Sequence, residues 1–294
     1  MAAQNMPAAE IDITEGLVRR LLDEQHPDLA DLQIRPLANG WDNVIFRLGD
    51  ELTVRVPRRQ MAARLVEHEQ QWLGVLAPRL SIPIPVPTRV GVPSDQFPWH
   101  WSVCPWLEGQ MAADTPLSDP VAEALRLGGF LSGLHTPAPD DAPHNPFRGQ
   151  PIAEVTPRFE SNLDKLDSSV DARPVAARWS ELAGVPEWEN APVWLHGDLH
   201  TANVLVHDGS LSAVIDFGDI TSGDPAVDLA IAWMLFDSRQ REVFRTAAGD
   251  IDQATWSRGQ AWALHFAIVY LVNSADNQRF ERMGAALLEA VLSG

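Results

Sequence analysis

The chain has 294 residues, 45% of them hydrophobic, which is long enough for one large domain or two lobes with a substantial core. Its 22 Lys and Arg residues against 40 Asp and Glu residues give a formal net charge of −18, which argues against nucleic acids and anionic membranes as partners. The same charge favours a cationic small molecule as ligand, although an acidic surface can also serve solubility alone.

Cysteine content and hydropathy indicate the compartment. The single cysteine, Cys104, excludes an internal disulfide and a thiolate metal cluster. The first ten residues lack the basic and apolar regions of a signal peptide, and the longest wholly apolar run, Phe266 to Val272, is far shorter than a membrane span. We therefore expect a soluble, cytoplasmic protein; the sequence does not indicate its oligomeric state.

The first part of the chain predicts a helix followed by three antiparallel strands. Asp12 caps the predicted helix, which runs to Gln25 with Glu15 in the capping-box position. The strands are expected at 32–37, 44–48 and 52–56, where alternation places Thr53 and Arg55 on one face and Val54 on the other. The turn at 39–43 contains one glycine, Gly40, and is equally compatible with a plain hairpin turn.

A second helix is predicted from Gln60 to Leu76. Glu69 lies four residues after Leu65 and four before Leu73, so it shares the apolar face of this helix. A carboxylate that points at a core needs a cationic partner, unless Glu69 lies at the edge of the face and reaches solvent.

The remaining elements are predicted from prolines, caps and periodicity. Recurrent prolines between Pro78 and Pro105 favour extended edge strands and turns. A later helix is expected from Pro120, with Asp119 as cap and an apolar face formed by Val121, Leu125, Leu131 and Leu134. Further helices are expected at 152–166, 173–182, 224–236, 251–273 and 276–292. The loop from Asp140 to Gln150 carries no recognisable chemistry.

The most informative stretch is residues 194–219. Asp198 is followed five residues later by Asn203, and Asp216 comes thirteen residues after that. Two apolar runs, joined by the turn His207-Asp208-Gly209, predict a hairpin with Asn203 and Asp216 at one end. An amide oxygen beside a carboxylate suits Mg²⁺, which also binds phosphates, and Asp198 could accept a proton from a hydroxyl group. This pattern predicts a phosphoryl-transfer site, although a hairpin with incidental surface acids would also fit.

H-G-D-x-x-x-x-N at 196–203 followed by I-D-F-G at 215–218 resembles the catalytic and metal-binding loops of the protein-kinase-like superfamily. The H-G-D form, with G-D-P-x-x-D-L-A at 223–230, is similar to the aminoglycoside and macrolide phosphotransferase branch. The resemblance implies an α+β, bilobal protein-kinase-like fold. A small antiparallel-sheet lobe (1–104) would bind nucleotide, and a larger, mostly helical lobe (105–294) would carry the catalytic loop and the acceptor-binding helices.

The resemblance also implies roles for individual residues. Asp198 is the expected catalytic base, Asn203 and Asp216 are expected to bind Mg²⁺, and His196 and Asp228 are expected to support the catalytic loop. Arg55 stands where the superfamily has a lysine, and its implied partner is Glu69. The remaining expected nucleotide-binding residues are Gly40 in the phosphate loop and Pro105 and Leu107 in a hinge, where an ordinary connecting strand remains the alternative.

Together these features predict an enzyme that moves the γ-phosphoryl group of ATP or GTP to a hydroxyl group of a small molecule, such as an aminoglycoside- or macrolide-type antibiotic. A kinase of a small metabolite alcohol, choline- or sugar-like, is an alternative acceptor class. Because Arg55 replaces the lysine and the loop at Gly40 is poor in glycine, a nucleotide-binding pseudoenzyme is a second alternative. A nucleotide hydrolase without an acceptor is a third.

Overall fold

The computed structural model describes residues 6–168, 170–273 and 277–293. They form two compact units. The first, here called the sheet unit, contains the described residues up to Pro78 together with Pro83–Leu107 and Asp216–Gly218. The second, here called the helical unit, contains Arg79–Ile82, Glu108–Ile215 and the described residues from Asp219 onward. The segment Asp216–Gly218 thus belongs to the sheet unit, whereas Ile215 before it and Asp219 after it belong to the helical unit.

The sheet unit is built on five antiparallel strands in the order β1-β2-β3-β5-β4. The strands are β1 (Ile34–Asn39), β2 (Asn43–Leu48), β3 (Leu52–Pro57), β4 (Arg89–Gly91) and β5 (Trp101–Pro105). Phe46 pairs with Val54, and both face a core that α1 (Glu15–Gln25) covers with Val18 and Leu22. The predicted alternation is confirmed, since Arg55 faces away from this core and contacts Glu69 of α2 (Gln60–Leu76).

Two boundaries in the sheet unit differ from the prediction. The N-cap of α1 is Thr14, whose hydroxyl oxygen accepts a hydrogen bond from Leu17 N at 3.2 Å, so the helix begins at Glu15 and Asp12 is not its cap. Both Asp12 and Thr14 are residue types that cap helices well, and only the path of the chain selects between them. Strand β1 begins at Ile34, two residues later than predicted.

The helical unit packs its helices around the long, buried helix α9 (Gln253–Asn273). The others are α3 (Pro120–Leu134), α4 (Ile152–Leu163), α5 (Ala172–Ala183), α6 (Ala226–Leu229), α7 (Ile231–Leu235), α8 (Ser238–Ala247) and α10 (Gln278–Leu292). Because α9 is covered on several sides, its aromatic residues Trp262 and Phe266 are core residues. In the part of the chain that the structure describes, no helix is both long and apolar enough to span a bilayer.

Several helix predictions need correction. Asp119 caps α3 and Leu131 and Leu134 are buried, as predicted. Val121 and Leu125 are 39% and 59% exposed, however, and Leu127 and Phe130 lie on the buried face in their place. The single helix expected at 224–236 is divided into α6 and α7, with Trp233 N donating to Ala230 O across three residues.

Two more outcomes concern the last part of the chain. Helix α8 was missed, although the Asp237–Gln240 capping box marks its start in the sequence. The predicted start of the last helix at Asp276 lies outside the described residues, and α10 has Asn277 as its N-cap.

Three short strands hold the central motif. β8 (Val204–His207) and β9 (Ser210–Val214) form the predicted hairpin, and β6 (Gln110–Met111) pairs with β8. Asp208 and Gly209 form its two-residue loop with φ of 49° and 77°, the left-handed conformation that Asp-Gly hairpin turns adopt. Elsewhere in the unit, β7 (Val193–Leu195) pairs with β10 (Thr221–Gly223).

Candidate active site

The loop that carries Asp198 is fixed by the buried carboxylate of Asp228. Asp228 Oδ2 accepts a hydrogen bond from His196 N at 2.8 Å, and Oδ1 accepts one from Gly197 N at 2.9 Å. His135 Nε2 lies 3.1 Å from the same carboxylate. These partners satisfy a fully buried acid and join it to the backbone at His196 and Gly197. The supporting role expected of Asp228 and His196 in a catalytic loop stays a prediction.

Gly197 fits a turn that other residues could not make. Its φ is +83°, and a Cβ atom at this position would lie 2.4 Å from Asp219 O. His196 holds the same turn with its ring, because Nδ1 accepts from Asp198 N at 3.2 Å and Nε2 lies 3.0 Å from Ile215 O. His196 and Gly197 therefore fix the shape of the loop that carries Asp198.

Asp198 is held by two neighbours and remains partly open. Its Oδ1 accepts from Arg148 at 2.9 Å, its Oδ2 lies 3.4 Å from His200 Nε2, and its side chain is 29% exposed. His200 Nδ1 accepts from Ala202 N, and its Nε2, which faces Asp198, also lies 3.3 Å from Asn203 Nδ2. Burial by itself would raise the pKa of Asp198, but Arg148 and His200 outweigh it and hold that pKa well below its usual range. Asp198 is consequently ionised at neutral pH.

Arg148 was missed in the sequence analysis. It lies in the loop 140–150, 50 residues before Asp198, and contacts Asp198 at 2.9 Å and Asp219 at 3.5 Å. Asn145 Nδ2 donates to Asp219 Oδ1 at 2.7 Å and so fixes the same loop. A single arginine in an aperiodic loop gives no sequence signal; only the tertiary contact reveals it.

Asn203 is oriented by its own loop. Its Nδ2 donates to Asp198 O at 3.0 Å, and its backbone oxygen accepts from Ile215 N at 2.9 Å, across the end of the β8–β9 hairpin. Because the amide nitrogen is used in this way, the amide oxygen is the atom suited to a hard cation.

In the sheet unit, the predicted ion pair between Arg55 and Glu69 is present. Their side chains are 8% and 3% exposed and meet at 3.1 Å. Burial raises the pKa of Glu69 to about 7, although Arg55 opposes that effect. Burial alone would lower the pKa of Arg55, but Glu69 and Asp216 outweigh it and raise that pKa, so the guanidinium stays charged.

Asp216 belongs to the same cluster. Its Oδ1 accepts from Arg55 at 3.3 Å, and its side chain is 57% exposed. Its φ of 64° is uncommon for a residue with a side chain, and backbone strain of this kind concentrates at functional sites. A largely exposed carboxylate fits a Mg²⁺ ligand.

The described residues contain no group of three or more His, Cys, Asp or Glu side chains that could hold a metal. The Mg²⁺-binding role expected of Asn203 and Asp216 rests on the chemistry of their side chains, an amide oxygen and a carboxylate. This metal role stays a prediction.

The other predicted nucleotide-binding positions lie at the end of a strand or just after one. Gly40 lies in the β1–β2 turn, where its N–H donates to Asn43 O and its carbonyl accepts from Arg58 at 3.0 Å. Pro105 ends β5, and Leu107 is the last residue of that segment of the sheet unit. Their nucleotide-binding roles stay predictions.

The chain is similar in sequence to known proteins. A sequence model of the phosphotransferase enzyme family matches residues 33–262. The chain is also 24% identical, over 230 residues, to stress response kinase A of Escherichia coli (strain K12), an alignment that covers 74% of this chain and 67% of that protein.

Solved structures extend the comparison to most of the chain. The GDP complex of aminoglycoside 2′-phosphotransferase-IIIa has a TM-score of 0.72 at 18% identity, covering 96% of this chain and 99% of that one. A macrolide 2′-phosphotransferase from Brachybacterium faecium has a TM-score of 0.61 at 22% identity, covering 91% and 97%. At these identities the likeness establishes the fold, and it confirms the predicted α+β kinase-like class with an antiparallel-sheet lobe and a mostly helical lobe.

Proposed function

Because the chain belongs to the phosphotransferase enzyme family, we propose that it moves the γ-phosphoryl group of ATP or GTP to a hydroxyl group of a small molecule. That the chain is an enzyme, a phosphotransferase, follows from the family itself. The proposal concerns the donor, the acceptor and the residues that serve each of them.

The arrangement of Asp198 carries the proposal. Its loop backbone is anchored by Asp228, while its carboxylate is ionised and 29% exposed. Each carboxylate oxygen has more than one lone-pair site, so the contacts to Arg148 and His200 leave room for a hydrogen bond from an acceptor hydroxyl. As the hydroxyl oxygen bonds to the γ-phosphorus, its proton would pass to Asp198 and the nucleoside diphosphate would leave.

For the donor, the sheet unit supplies a fixed positive charge. Arg55 is a fork-shaped donor that is held by Glu69 and suits phosphate oxygens. Arg55 would contact the nucleotide phosphates, with Gly40, Pro105 and Leu107 as further nucleotide-binding positions. Asn203 and Asp216 would hold Mg²⁺, which, when bound, would neutralise charge on the transferred phosphoryl group.

For the acceptor, the similar solved structures suggest candidates. These structures are aminoglycoside and macrolide phosphotransferases, and they include complexes with GDP and kanamycin and with ATP and streptomycin. We take these antibiotic classes, together with small metabolite alcohols, as the acceptors to test.

The test is a coupled ADP- and GDP-release assay against a panel of aminoglycosides, macrolides and metabolite alcohols, each with ATP and with GTP. Release that depends on one acceptor class and is lost in Asp198→Ala would support the proposal. Nucleotide binding without transfer to any acceptor would support the pseudoenzyme alternative, and release without any acceptor would support the hydrolase alternative.

A further inference from the structure

A cavity of about 250 Å³ lies beside the catalytic loop within the helical unit. It reaches the loop at Thr201, three residues after Asp198, and at Tyr270, whose ring lies 6.0 Å from the ring of His200. Since His200 contacts Asp198, the cavity is placed where a molecule that presents a hydroxyl group to Asp198 would extend. Its walls also include Trp233, Met234, Arg279, Arg282, Met283 and Leu287.

Two residues that line this cavity each have a buried polar group without a hydrogen-bond partner among the described residues. These groups are the hydroxyl group of Tyr270, which is 9% exposed, and the indole Nε1 of Trp233, which is 4% exposed. Burial raises the pKa of Tyr270 well above its ordinary value, so its O–H stays protonated. Leaving buried polar groups without partners is costly, and a ligand that fills the cavity could supply the missing hydrogen bonds.

The polar groups of the cavity are mainly hydrogen-bond donors. An indole N–H can donate a hydrogen bond but not accept one, and the same is true of the guanidinium groups of Arg279 and Arg282. Tyr270 and Thr201 offer hydroxyl groups that donate as well as accept. A ligand would therefore be bound through accepting oxygen atoms, and an ammonium group would find few acceptors on these side chains.

The charge of the lining residues also favours a ligand that is not cationic. Among the described residues, those that line the cavity include two arginines and no carboxylate. Asp114 lies 2.7 Å from Arg279 and 3.7 Å from Arg282, so one carboxylate is shared by two cations. These three side chains together carry one positive charge, although the whole chain carries −18.

Size limits the ligand further. A volume of about 250 Å³ is below the roughly 300–1,000 Å³ of pockets that hold drug-sized molecules. It suits a small alcohol, or one ring of a larger one, resting on Trp233 and the two methionines.

We propose that this cavity binds the acceptor, and that the acceptor is a small, oxygen-rich alcohol that is neutral or anionic rather than a polyamine. The inference rests on the proposed phosphotransferase function and names its substrate class. It replaces the expectation from net charge that the acceptor is cationic.

The first experiment separates charge from shape. Nucleoside diphosphate release is measured with alcohols matched in size and different in charge, such as glucose, glucuronate and glucosamine, beside hydroxy acids, sugar phosphates, kanamycin and a macrolide. We expect the best acceptor to be neutral or anionic and the amino analogue of the same skeleton to have at least a tenfold lower kcat/KM.

The second experiment tests the cavity with the best acceptor found. Trp233→Phe and Tyr270→Phe each remove one hydrogen-bonding group and keep the ring, and we expect each to raise the acceptor KM about 5- to 10-fold with unchanged nucleotide affinity. Arg282→Glu should lower kcat/KM for an anionic acceptor and raise it for its amino analogue. Trp179→Phe is the matched control, because Trp179 Nε1 also has no hydrogen-bond partner among the described residues. The ring of Trp179 stacks on Phe159 and does not line the cavity. The acceptor KM of this variant should stay at the wild-type value.

The outcomes separate the two levels of the proposal. Preference for a cationic acceptor, whether aminoglycoside or macrolide, would overturn this inference and leave the proposed function standing. An unchanged acceptor KM in both Trp233→Phe and Tyr270→Phe would mean that the acceptor binds elsewhere. This result too would overturn the inference and leave the proposed function standing. If no acceptor of any class is phosphorylated, the proposed function fails and this inference fails with it.

Discussion

Each unit of the molecule places one arginine between two carboxylates, and the two clusters differ in their exposure to solvent. In the sheet unit, Arg55 contacts Glu69 and Asp216, and both Arg55 and Glu69 are almost fully buried. In the helical unit, Arg148 contacts Asp198 and Asp219, and the side chains of these three residues are 22%, 29% and 31% exposed.

Under the proposed function, the difference in exposure suggests a different task for each arginine. Around Arg55, the buried Glu69 fixes a cation, whose position is then available to an anionic ligand. Around Arg148, the cation serves the carboxylate, because it keeps Asp198 ionised while solvent, and so a substrate, can still reach it. The first cluster suits phosphate binding and the second suits proton transfer from a hydroxyl group.

The largest expected effect comes from removing the proposed base. Asp198→Ala should lower turnover by about 10²–10⁴-fold, since the group that orients and deprotonates the acceptor is lost, while nucleotide affinity stays within twofold. Turnover is measured by coupled diphosphate release and affinity by isothermal titration. Asp219→Ala removes the other carboxylate beside Arg148, so an equal loss in both variants would trace the defect to Arg148 and contradict the role of Asp198.

The second prediction tests whether Arg55 and Glu69 act as one unit. Arg55→Ala leaves the buried Glu69 without its cation, and Glu69→Ala leaves the buried Arg55 with only the exposed Asp216. Each change should cost about 3–5 kcal/mol of unfolding free energy. The double mutant should lose little more than either single variant, in stability and in turnover.

The exposed pair Arg35–Asp50, at 51% and 95% exposure, is the matched control for this double-mutant cycle. Its coupling should not exceed about 1 kcal/mol. If the effects of Arg55→Ala and Glu69→Ala were simply additive, the buried pair would not be a functional unit. Arg55→Lys adds a further distinction, since it should keep activity if charge suffices and lose it if the fork of the guanidinium is required.

A smaller effect is expected at Asp216. Asp216→Asn removes one charge from the predicted metal ligand, so Mg²⁺-dependent nucleotide affinity should fall about tenfold, the equivalent of roughly 1.4 kcal/mol. Isothermal titration with and without Mg²⁺ measures this. Asp208→Asn is the control because Asp208 shares the left-handed backbone, with φ of 49° against 64° for Asp216. Equal affinities in wild type and Asp216→Asn would rule out the metal role.

The smallest effect concerns Arg148 and pH. Asp198 must be ionised to accept a proton, and its depressed pKa keeps it ionised to lower pH than an ordinary aspartate. Arg148→Ala leaves burial unopposed by its charge, so the acidic limb of the pH–kcat profile should move to higher pH, with less than about tenfold loss of turnover at pH 8.

Arg158→Ala is the control for Arg148, since Arg158 donates to Phe147 O and Gln150 of the same loop without contacting Asp198. Circular dichroism across the same pH range separates titration from unfolding. An acidic limb at the wild-type position in Arg148→Ala would show that Arg148 does not set the ionisation of Asp198.

The sequence by itself determined the features that depend on local pattern. Alternation placed Thr53 and Arg55 opposite Val54 because neighbouring side chains of a strand point to opposite faces. Helical spacing placed Glu69 on a buried face, and the need of a buried carboxylate for a cation then predicted its pair with Arg55. The spaced motif around Asp198 indicated the family, because several residues in fixed order carry more information than any one of them.

Only the tertiary structure decided what depends on contacts distant in sequence. Arg148 reaches Asp198 across 50 residues from an aperiodic loop, so no local signal predicts the contact. The cavity joins Thr201, Trp233, Tyr270 and Arg282 from separate segments, and the unpartnered donors of Trp233 and Tyr270 appear only once the packing around them is known. Composition gives the net charge of the whole chain, whereas a ligand meets only the nearby charges, because solvent and salt screen the rest within about 10 Å.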